Sequence, residues 1–476
     1  MPSKIKKFIK KDIPKLRYGI MHSRIGFNDG VSIVMEQVEK VMLQEMNIPK
    51  ENIFYLVGKS KKISPQINEN DIFLDNLNGN KLAVKNYSIG FGGTISEILE
   101  KEINIGKNII EDFVKKNNID VIIAHNTCHP VNFILSLSLS RYYRDFVKKN
   151  KKTPKYLLWW HDSHLERSQF LKPAFDVQRY LLQGVPGNFV EYIIFINSLQ
   201  FKIAKSYFLN LSKVRKNFFE EISRNKDVIY NTTETFIDSF KDLKKFDNET
   251  KIFIKDFKLV DLLSEQNLNF DDLIFCLQHT RILKRKRIDF ALKYCFELLN
   301  KINEKRKIKK SIYFLVSGMD TFDGSKKKII LLHKKLSYQN PNNKIILVFA
   351  EDNETSLLFE DYPRIFARLG GISTYFSEIE GFGNNLLEVL ASGLIPIVYT
   401  YPVFKKDIAK YNFKLISLNK FEFSNGSINE TIDILKNNRK RKIWVNMNLN
   451  TLKKYFSHEI INFKLMRAII RKRTHK

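Results

Sequence analysis

Cysteine, long apolar runs and acidic residues are all scarce in this chain. It holds only three cysteines in 476 residues, Cys128, Cys276 and Cys295. They are odd in number and far apart, so neither a disulfide framework nor a zinc-ligand spacing is present, and free thiols in a reducing cytosol are expected. No stretch of about 18 uninterrupted apolar residues occurs, which argues against a membrane-spanning helix. The basic opening MPSKIKKFIKKDIPKLR is followed by neither an apolar core nor a small-residue cleavage site, so it does not read as a secretory signal. Against 80 Lys and Arg stand 51 Asp and Glu, a net charge of +29. These positive charges are spread along the chain, with no aromatic-basic RNA motif or zinc finger among them, and specific nucleic-acid recognition is not expected. Bulk composition, with some affinity for phosphate or an anionic membrane surface, accounts for the excess.

What is present is enough apolar residue, 43%, to build ordinary cores. The length exceeds what one core usually serves, so two domains are expected. Short apolar runs at 18–22, 53–57, 121–124, 156–160, 192–196 and 228–230 read as strands. Helical periods lie between them, at 31–46, 132–147 and 198–208. From 231 to about 259 the strand signal stops in a polar stretch read as a hinge. Alternation resumes with strands at 273–277, 311–316, 345–349, 372–376 and 395–399, and helices at 291–300 and 385–392. From 427 onward the chain reads as helices ending in the basic tail after Arg471. The expectation is α/β architecture with two Rossmann-like domains, 1–235 and 236–450. A basic C-terminal segment, 451–476, returns to the first domain. In such sheets ligands bind outside the carboxyl ends of the strands, so residues just after strands carry the interest.

The most informative stretch runs through Glu380, Gly381, Phe382, Gly383, Asn384, Asn385 and Leu386 to Glu388, at a strand-to-helix turn. Gly381 and Gly383 let the backbone turn sharply and approach a ligand closely. The N–H groups of Gly383, Asn384, Asn385 and Leu386 would then form an anion site for a diphosphate. Glu380 can accept hydrogen bonds from sugar hydroxyls, and Glu388 is placed to take a ribose diol. An ordinary turn with two surface glutamates would explain either glutamate alone, not the complete string. Earlier, Arg281 and Lys286 follow a strand in His279-Thr-Arg-Ile-Leu-Lys-Arg-Lys-Arg287, where they could stabilise a departing diphosphate. A solvated basic helix start is the plain alternative.

In the first half, Asn28-Asp29-Gly30 opens a helix after the first strand. The segment Trp159-Trp-His161-Asp-Ser-His164-Leu-Glu166-Arg167 packs two histidines, two carboxylates and an arginine after a strand end. Those residue types also suit a metal. Asn197 and Ser198 read as a helix cap.

Glu380-x7-Glu388, followed by Ala391-Ser-Gly393-Leu-Ile-Pro396-Ile-Val, resembles the signature of the family 4 group of GT-B glycosyltransferases. The resemblance implies a GT-B fold with an interdomain cleft, transfer with retention, no bound metal and no cofactor, the nucleotide-sugar being a substrate. It assigns Glu380 to the donor hexose, Glu388 to the ribose, and Arg281 and Lys286 to the diphosphate. His161 would lie near the reacting carbon, with His164 as the second choice, and the Gly30 loop would approach donor phosphate or acceptor. One departure stands out: Arg287 occupies the place where a glycine usually follows the lysine. Four basic residues from 284 to 287 also leave the register of that lysine open by one or two positions.

A looser resemblance, through His22-Ser-Arg-Ile-Gly, Asp29-Gly-Val-Ser, His161-Asp, Glu166-Arg167, Ile196-Asn-Ser-Leu-Gln and the Arg281-Ile to Arg-Lys286 stretch, points to a subgroup that includes mannosylglucosylglycerate synthases. It implies GDP-mannose as donor, a UDP-hexose being the alternative. It makes Arg24, Asp29, His164, Glu166 and Arg167 candidates for an anionic acceptor such as a glycerate. The expected function is retaining transfer of a hexose to the hydroxyl of a small solute, lipid or polysaccharide in the cytoplasm, with peripheral contact to the inner membrane face compatible with the charge. A GT-B nucleotide-sugar epimerase or phosphorylase is the nearest alternative, and a basic nucleic-acid or membrane-surface binder the distant one. The oligomeric state is left open.

Overall fold

The computed structural model describes residues 12–471 apart from 28, 76, 149–152, 185, 186, 188, 236, 305–308 and 322. Asn28, the tail beyond Arg471 and most of the basic opening therefore lie outside the described residues. Within them the chain forms two compact units, one running to Asn231 and taking in the residues from His458 onward, the other Thr232–Ser457.

Parallel strands covered on both faces are near-continuously apolar, and the central members of the first unit's seven strands show this. They are β1 (Tyr18–Ile25), β2 (Ile53–Ser60), β3 (Ile67–Glu69), β4 (Val121–His125), β5 (Lys155–Trp160), β6 (Tyr192–Phe195) and β7 (Lys226–Val228). Their order is β3-β2-β1-β4-β5-β6-β7, all parallel. Ile20, Met21, Ile122, Ile123, Leu157, Leu158, Trp160, Ile193 and Ile194 are wholly buried. The short edge strand β3 escaped the sequence reading because three residues carry no period. The expected last strand, 228–230, forms earlier, at Lys226–Val228. The C-terminal helix His458–Ile470 packs on the helix Gly30–Gln44, and its Arg467 pairs with Asp227 at 3.3 Å.

The second unit holds β8 (Leu273–Gln278), β9 (Ser311–Val316), β10 (Ile345–Phe349), β11 (Ile372–Tyr375), β12 (Ile395–Tyr399) and β13 (Ile416–Leu418). They run parallel in the order β10-β9-β8-β11-β12-β13. The polar stretch read as a hinge is corrected here. Phe240–Phe246 forms a 3-10 segment and Asp247–Asp256 a helix. Leu243, Phe246, Phe253 and Phe257 from this stretch are buried in the core of the second unit. Their three- and four-residue spacing is a helical stripe, masked in the sequence by the lysines and aspartates between. Phe253 sits edge-to-face on Tyr313 and on Phe366, at 5.9 and 5.6 Å.

Both sheets reverse their winding once, between β1 and β4 and between β8 and β11. At such a point the helices on either side diverge and leave the strand ends open, so each unit presents a crevice there. Among the described residues no helix is long and apolar enough to cross a membrane.

Candidate functional site

In the second unit the crevice is lined by residues that follow β8, β9 and β11. After β11 the loop carries Glu380 to Gly383, and the helix Asn384–Ala391 begins one residue earlier than expected. Gly383 has φ +119°, a conformation that strongly favours glycine, and a Cβ there would meet the Tyr401 hydroxyl at 2.3 Å. That hydroxyl donates to the Phe382 carbonyl at 2.7 Å and ties the turn to the core. The Phe382 ring is buried, 6.1 Å from Phe456, so it supports the loop from within the unit. Leu386 is a core residue, and its N–H is already bonded to the Gly383 carbonyl at 3.0 Å. It is thereby removed from the set of four amides expected to face an anion.

Glu380 is mostly buried, its side chain 10 % exposed, and it is set against two cations. Lys286 Nζ donates to Oε1, and Arg285 Nη1 lies 3.3 Å from Oε2. Burial alone would raise its pKa, but Lys286 and Arg285 outweigh burial and hold the carboxyl down to about 2. Burial pushes the Lys286 ammonium below its ordinary value, opposed by Glu380. The register is now visible: Lys286 is buried on Glu380, whereas Lys284 is exposed. Arg281 is exposed and, among the described residues, has no ion-pair partner. Two cations thus meet one carboxylate, with Arg281 close enough to Lys286 to act on its charge, leaving positive charge over for an anionic ligand.

Arg287 explains the departure from glycine. It adopts φ +51° and ψ +45°, the left-handed conformation in which a glycine is at ease. Such a backbone costs a non-glycine residue about 1–2 kcal/mol. The side chain offsets this with a fork onto Asp289 at 3.0 and 3.1 Å, a bond to Glu378 at 2.9 Å, and a place over the Phe421 ring at 4.3 Å.

Glu388 accepts from His279 Nε2 at 3.1 Å, His279 Nδ1 meets Ser317 Oγ at 2.9 Å, and its ring stacks on Phe359 at 4.0 Å. Because a carboxylate only accepts, the hydrogen on Nε2 belongs to His279; in the neutral imidazole Ser317 then donates to Nδ1. Asn385 Nδ2 donates to the His279 carbonyl at 2.8 Å. Gly318 lets the end of β9 press against the backbone before Arg281, since a Cβ there would lie 2.3 Å from the Thr280 carbonyl oxygen. Sequence reasoning passed over His279, Ser317 and Gly318. Their signal was position: His279 directly follows β8 at the reversal point, and Ser317 and Gly318 follow the neighbouring β9.

In the first unit, β1, β4 and β5 bring His22, His125 and His161 together. His22 Nδ1 lies 3.1 Å from the His125 carbonyl, and His125 Nδ1 is 2.9 Å from His161 Nε2. All three are buried. Burial and the neighbouring His22 lower His161 to about 3, and burial lowers His125 and His22 as well. His164 is also buried, set edge-to-face on Tyr207 at 5.1 Å.

The remaining candidates serve local structure. Asp29 caps the helix Gly30–Gln44, accepting from Val31 and Ser32 N–H at 3.0 Å and from Ser32 Oγ at 2.8 Å. Gly30 is therefore the first residue of a capped helix. Glu166 accepts from Trp160 Nε1 and Ser163 Oγ at 2.8 Å and from Gln200 Nε2 at 3.0 Å, which commits its carboxylate to bracing the loop. Arg167 pairs with Asp162, and Arg24, near the end of β1, pairs with Asp75 at 2.6 Å. Asn197 accepts from Leu199 and Gln200 N–H at 3.0 and 3.1 Å, the expected cap. Among the described residues no group of three or more His, Cys, Asp or Glu side chains is arranged so that it could hold a metal ion.

No family model matches the chain. It is 26% identical over 434 residues to a mannosylglucosylglycerate synthase of Petrotoga mobilis, covering 86% of this chain and 89% of that protein. A mannosylglucosylglycerate synthase of Thermotoga maritima is 24% identical over 445 residues, covering 88% of this chain and 89% of its own. Among solved structures, a UDP-forming α,α-trehalose-phosphate synthase from Burkholderia xenovorans matches with a TM-score of 0.64 at 9% identity, over 97% of this chain and 100% of that one. With two parallel α/β units, a glutamate-flanked turn at the second reversal point and these relatives, the chain is a glycosyltransferase of the GT-B fold.

Proposed function

We propose that the chain transfers a hexose, with retention, from a nucleoside-diphosphate sugar to the hydroxyl of a small anionic solute. The observation that carries this is the pairing of Glu380 with Lys286 beside the exposed Arg281, which has no ion-pair partner among the described residues of the second unit. A fixed carboxylate suits hexose hydroxyls, while surplus cations suit a diphosphate whose charge grows as it departs. In the step itself the bond from C1 to the diphosphate oxygen breaks under Arg281 and Lys286. A bond from C1 to the acceptor oxygen forms on the same face, and the acceptor proton passes to the departing phosphate. Glu388, oriented by His279, takes the ribose diol. The same reading assigns His161 to a polar contact of the substrate sugar, and Arg24, Arg167 and His164 to the acceptor. The names of the relatives favour a mannosyl donor and a glucosylglycerate-like acceptor; the resemblance implies GDP-mannose, a UDP-hexose being the alternative.

The test is incubation of the full chain with GDP-mannose or UDP-glucose, with and without glucosylglycerate, followed by NMR of the product's anomeric centre. A retained configuration that appears only with acceptor, and is lost in Glu380→Gln, supports the reading. Conversion of the donor without acceptor would identify an epimerase instead.

A contact with an anionic bilayer is supported by one face of the first unit. Along the helix Leu199–Leu211 and the turn beyond it, Lys202, Lys205, Lys213 and Lys216 are exposed together with Ile203, Leu209 and Val214. Lysines flanking exposed apolar groups suit anionic headgroups. Co-flotation with phosphatidylglycerol vesicles but not phosphatidylcholine vesicles, lost in Lys202→Glu/Lys205→Glu, is the expected result. Equal recovery with both vesicles would remove this reading.

A further inference from the structure

The histidines of the first unit are joined in a way that settles which nitrogen of His161 carries its proton. His125 Nδ1 and His161 Nε2 are 2.9 Å apart, a hydrogen bond between two imidazoles. With both rings buried and neutral, that bond holds one proton, so the tautomer of one ring dictates that of the other. If His161 donates through Nε2–H, His125 must carry its own proton on Nε2. That atom is buried and, among the described residues, has no hydrogen-bond partner, so a buried N–H would be orphaned. If instead His125 donates through Nδ1–H, only a lone pair is left unmatched at Nε2. Orphaned buried N–H groups are rarer in folded proteins than under-satisfied acceptors. The second arrangement is therefore preferred.

The His125 ring is held for this role. It stacks on Trp159 with centroids 5.2 Å apart and an interplanar angle of 13°, and it is wholly buried. Its carbonyl accepts from His22 Nδ1 at 3.1 Å, which pins the end of β4 to β1. The ring plane of His125, and with it the direction of its Nδ1–H, is set by the core and not by substrate.

We infer that His125 is a positioning residue: by donating to His161 Nε2 it keeps the His161 proton on Nδ1, so that His161 meets its ligand as a hydrogen-bond donor. The ligand class follows from this polarity. A donor suits the lone pair of a sugar hydroxyl or of an anionic oxygen, whereas a bare nitrogen would have taken up a proton. This deepens the proposed function and rests on His161 being a substrate contact.

Long-range 15N–1H spectra of histidine-labelled full-length protein test the tautomer without reference to activity. Nine histidines contribute, and His161 is assigned by the signal lost in His161→Gln. The expected result is a protonated, upfield Nδ1 and an unprotonated, downfield Nε2 for His161. In His125→Phe the pattern reverses or averages, and kcat falls about tenfold, the scale of one misdirected hydrogen bond. His125→Asn, whose amide N–H can stand near the place of Nδ1, restores the pattern and most of the rate. A wild-type His161 protonated on Nε2, or a pattern unchanged in both variants, overturns the inference. A correct tautomer with wild-type turnover in His161→Gln would leave the imidazole pair intact and sink only the reading of His161 as a substrate contact. Should His125→Phe fail to fold, the wild-type spectrum and His125→Asn still decide.

Discussion

Replacing Lys286 by methionine separates the charge at the centre of the site from its packing. The two side chains have similar length, so the chief loss is the ammonium that faces Glu380. Glu380 would remain buried with only Arg285, 3.3 Å away and partly open to solvent. Removing one partner of a buried pair costs about 3–5 kcal/mol, and the surviving arginine places this case at the lower end, about 3 kcal/mol. An independent route agrees. The Glu380 carboxyl is held from its ordinary 4.5 down to about 2, and at about 1.4 kcal/mol per pKa unit its ionisation contributes roughly 3 kcal/mol. Because the folded value is the depressed one, this contribution is complete above about pH 4.5 and drains away as pH falls toward 2. At pH 3 less than about half should be left. The assay is a double-mutant cycle of Lys286→Met and Glu380→Gln. Stability is read from urea-dependent hydrogen exchange of peptides spanning residues 375–391, which reports on the second unit. The expected coupling is about 3 kcal/mol at pH 7 and clearly smaller at pH 3. Coupling below about 1 kcal/mol at pH 7, or the same value at both pH values, would refute the electrostatic account.

Arg281→Ala should leave stability within about 0.5 kcal/mol, because the side chain is exposed and unpaired, yet weaken nucleoside-diphosphate binding about 10- to 100-fold by calorimetry with GDP and UDP. Unchanged affinity for both would remove Arg281 from the donor site. Gly383→Ala combines a positive φ with a clash on Tyr401, and should lower stability by about 2 kcal/mol or more in a thermal scan. Arg287→Gly relieves a left-handed backbone while losing partly exposed ion pairs, so its unfolding free energy should stay within about 1 kcal/mol of wild type. Arg287→Val keeps the strain without the anchors and should destabilise by about 2 kcal/mol; equal stability of the two variants would count against the backbone argument.

The alternation of apolar runs and helical periods was enough to read a two-unit α/β chain, because a strand buried on both faces has no freedom to be polar. The string from Glu380 to Glu388 was equally legible, since glycines at 381 and 383 and glutamates at its ends are constraints on single residues. The hinge reading failed for the opposite reason. Leu243, Phe246, Phe253 and Phe257 are spaced for a helix, but lysines and aspartates between them lower the local hydrophobicity, and only the core they fill reveals the stripe. Partnerships were beyond the sequence altogether. That Lys286 and not Lys284 meets Glu380 depends on a half-turn of 3-10 helix, and that Arg287 can stand in for glycine depends on Asp289, Glu378 and Phe421 arriving beside it. Ser317 reaches His279 across 38 residues of sequence, and His161 reaches His125 across 36. Residue type and spacing determined what chemistry each crevice could hold. The folding of the sheets decided which side chains share a proton or a charge, because those pairings are set by strand order, which no local pattern encodes.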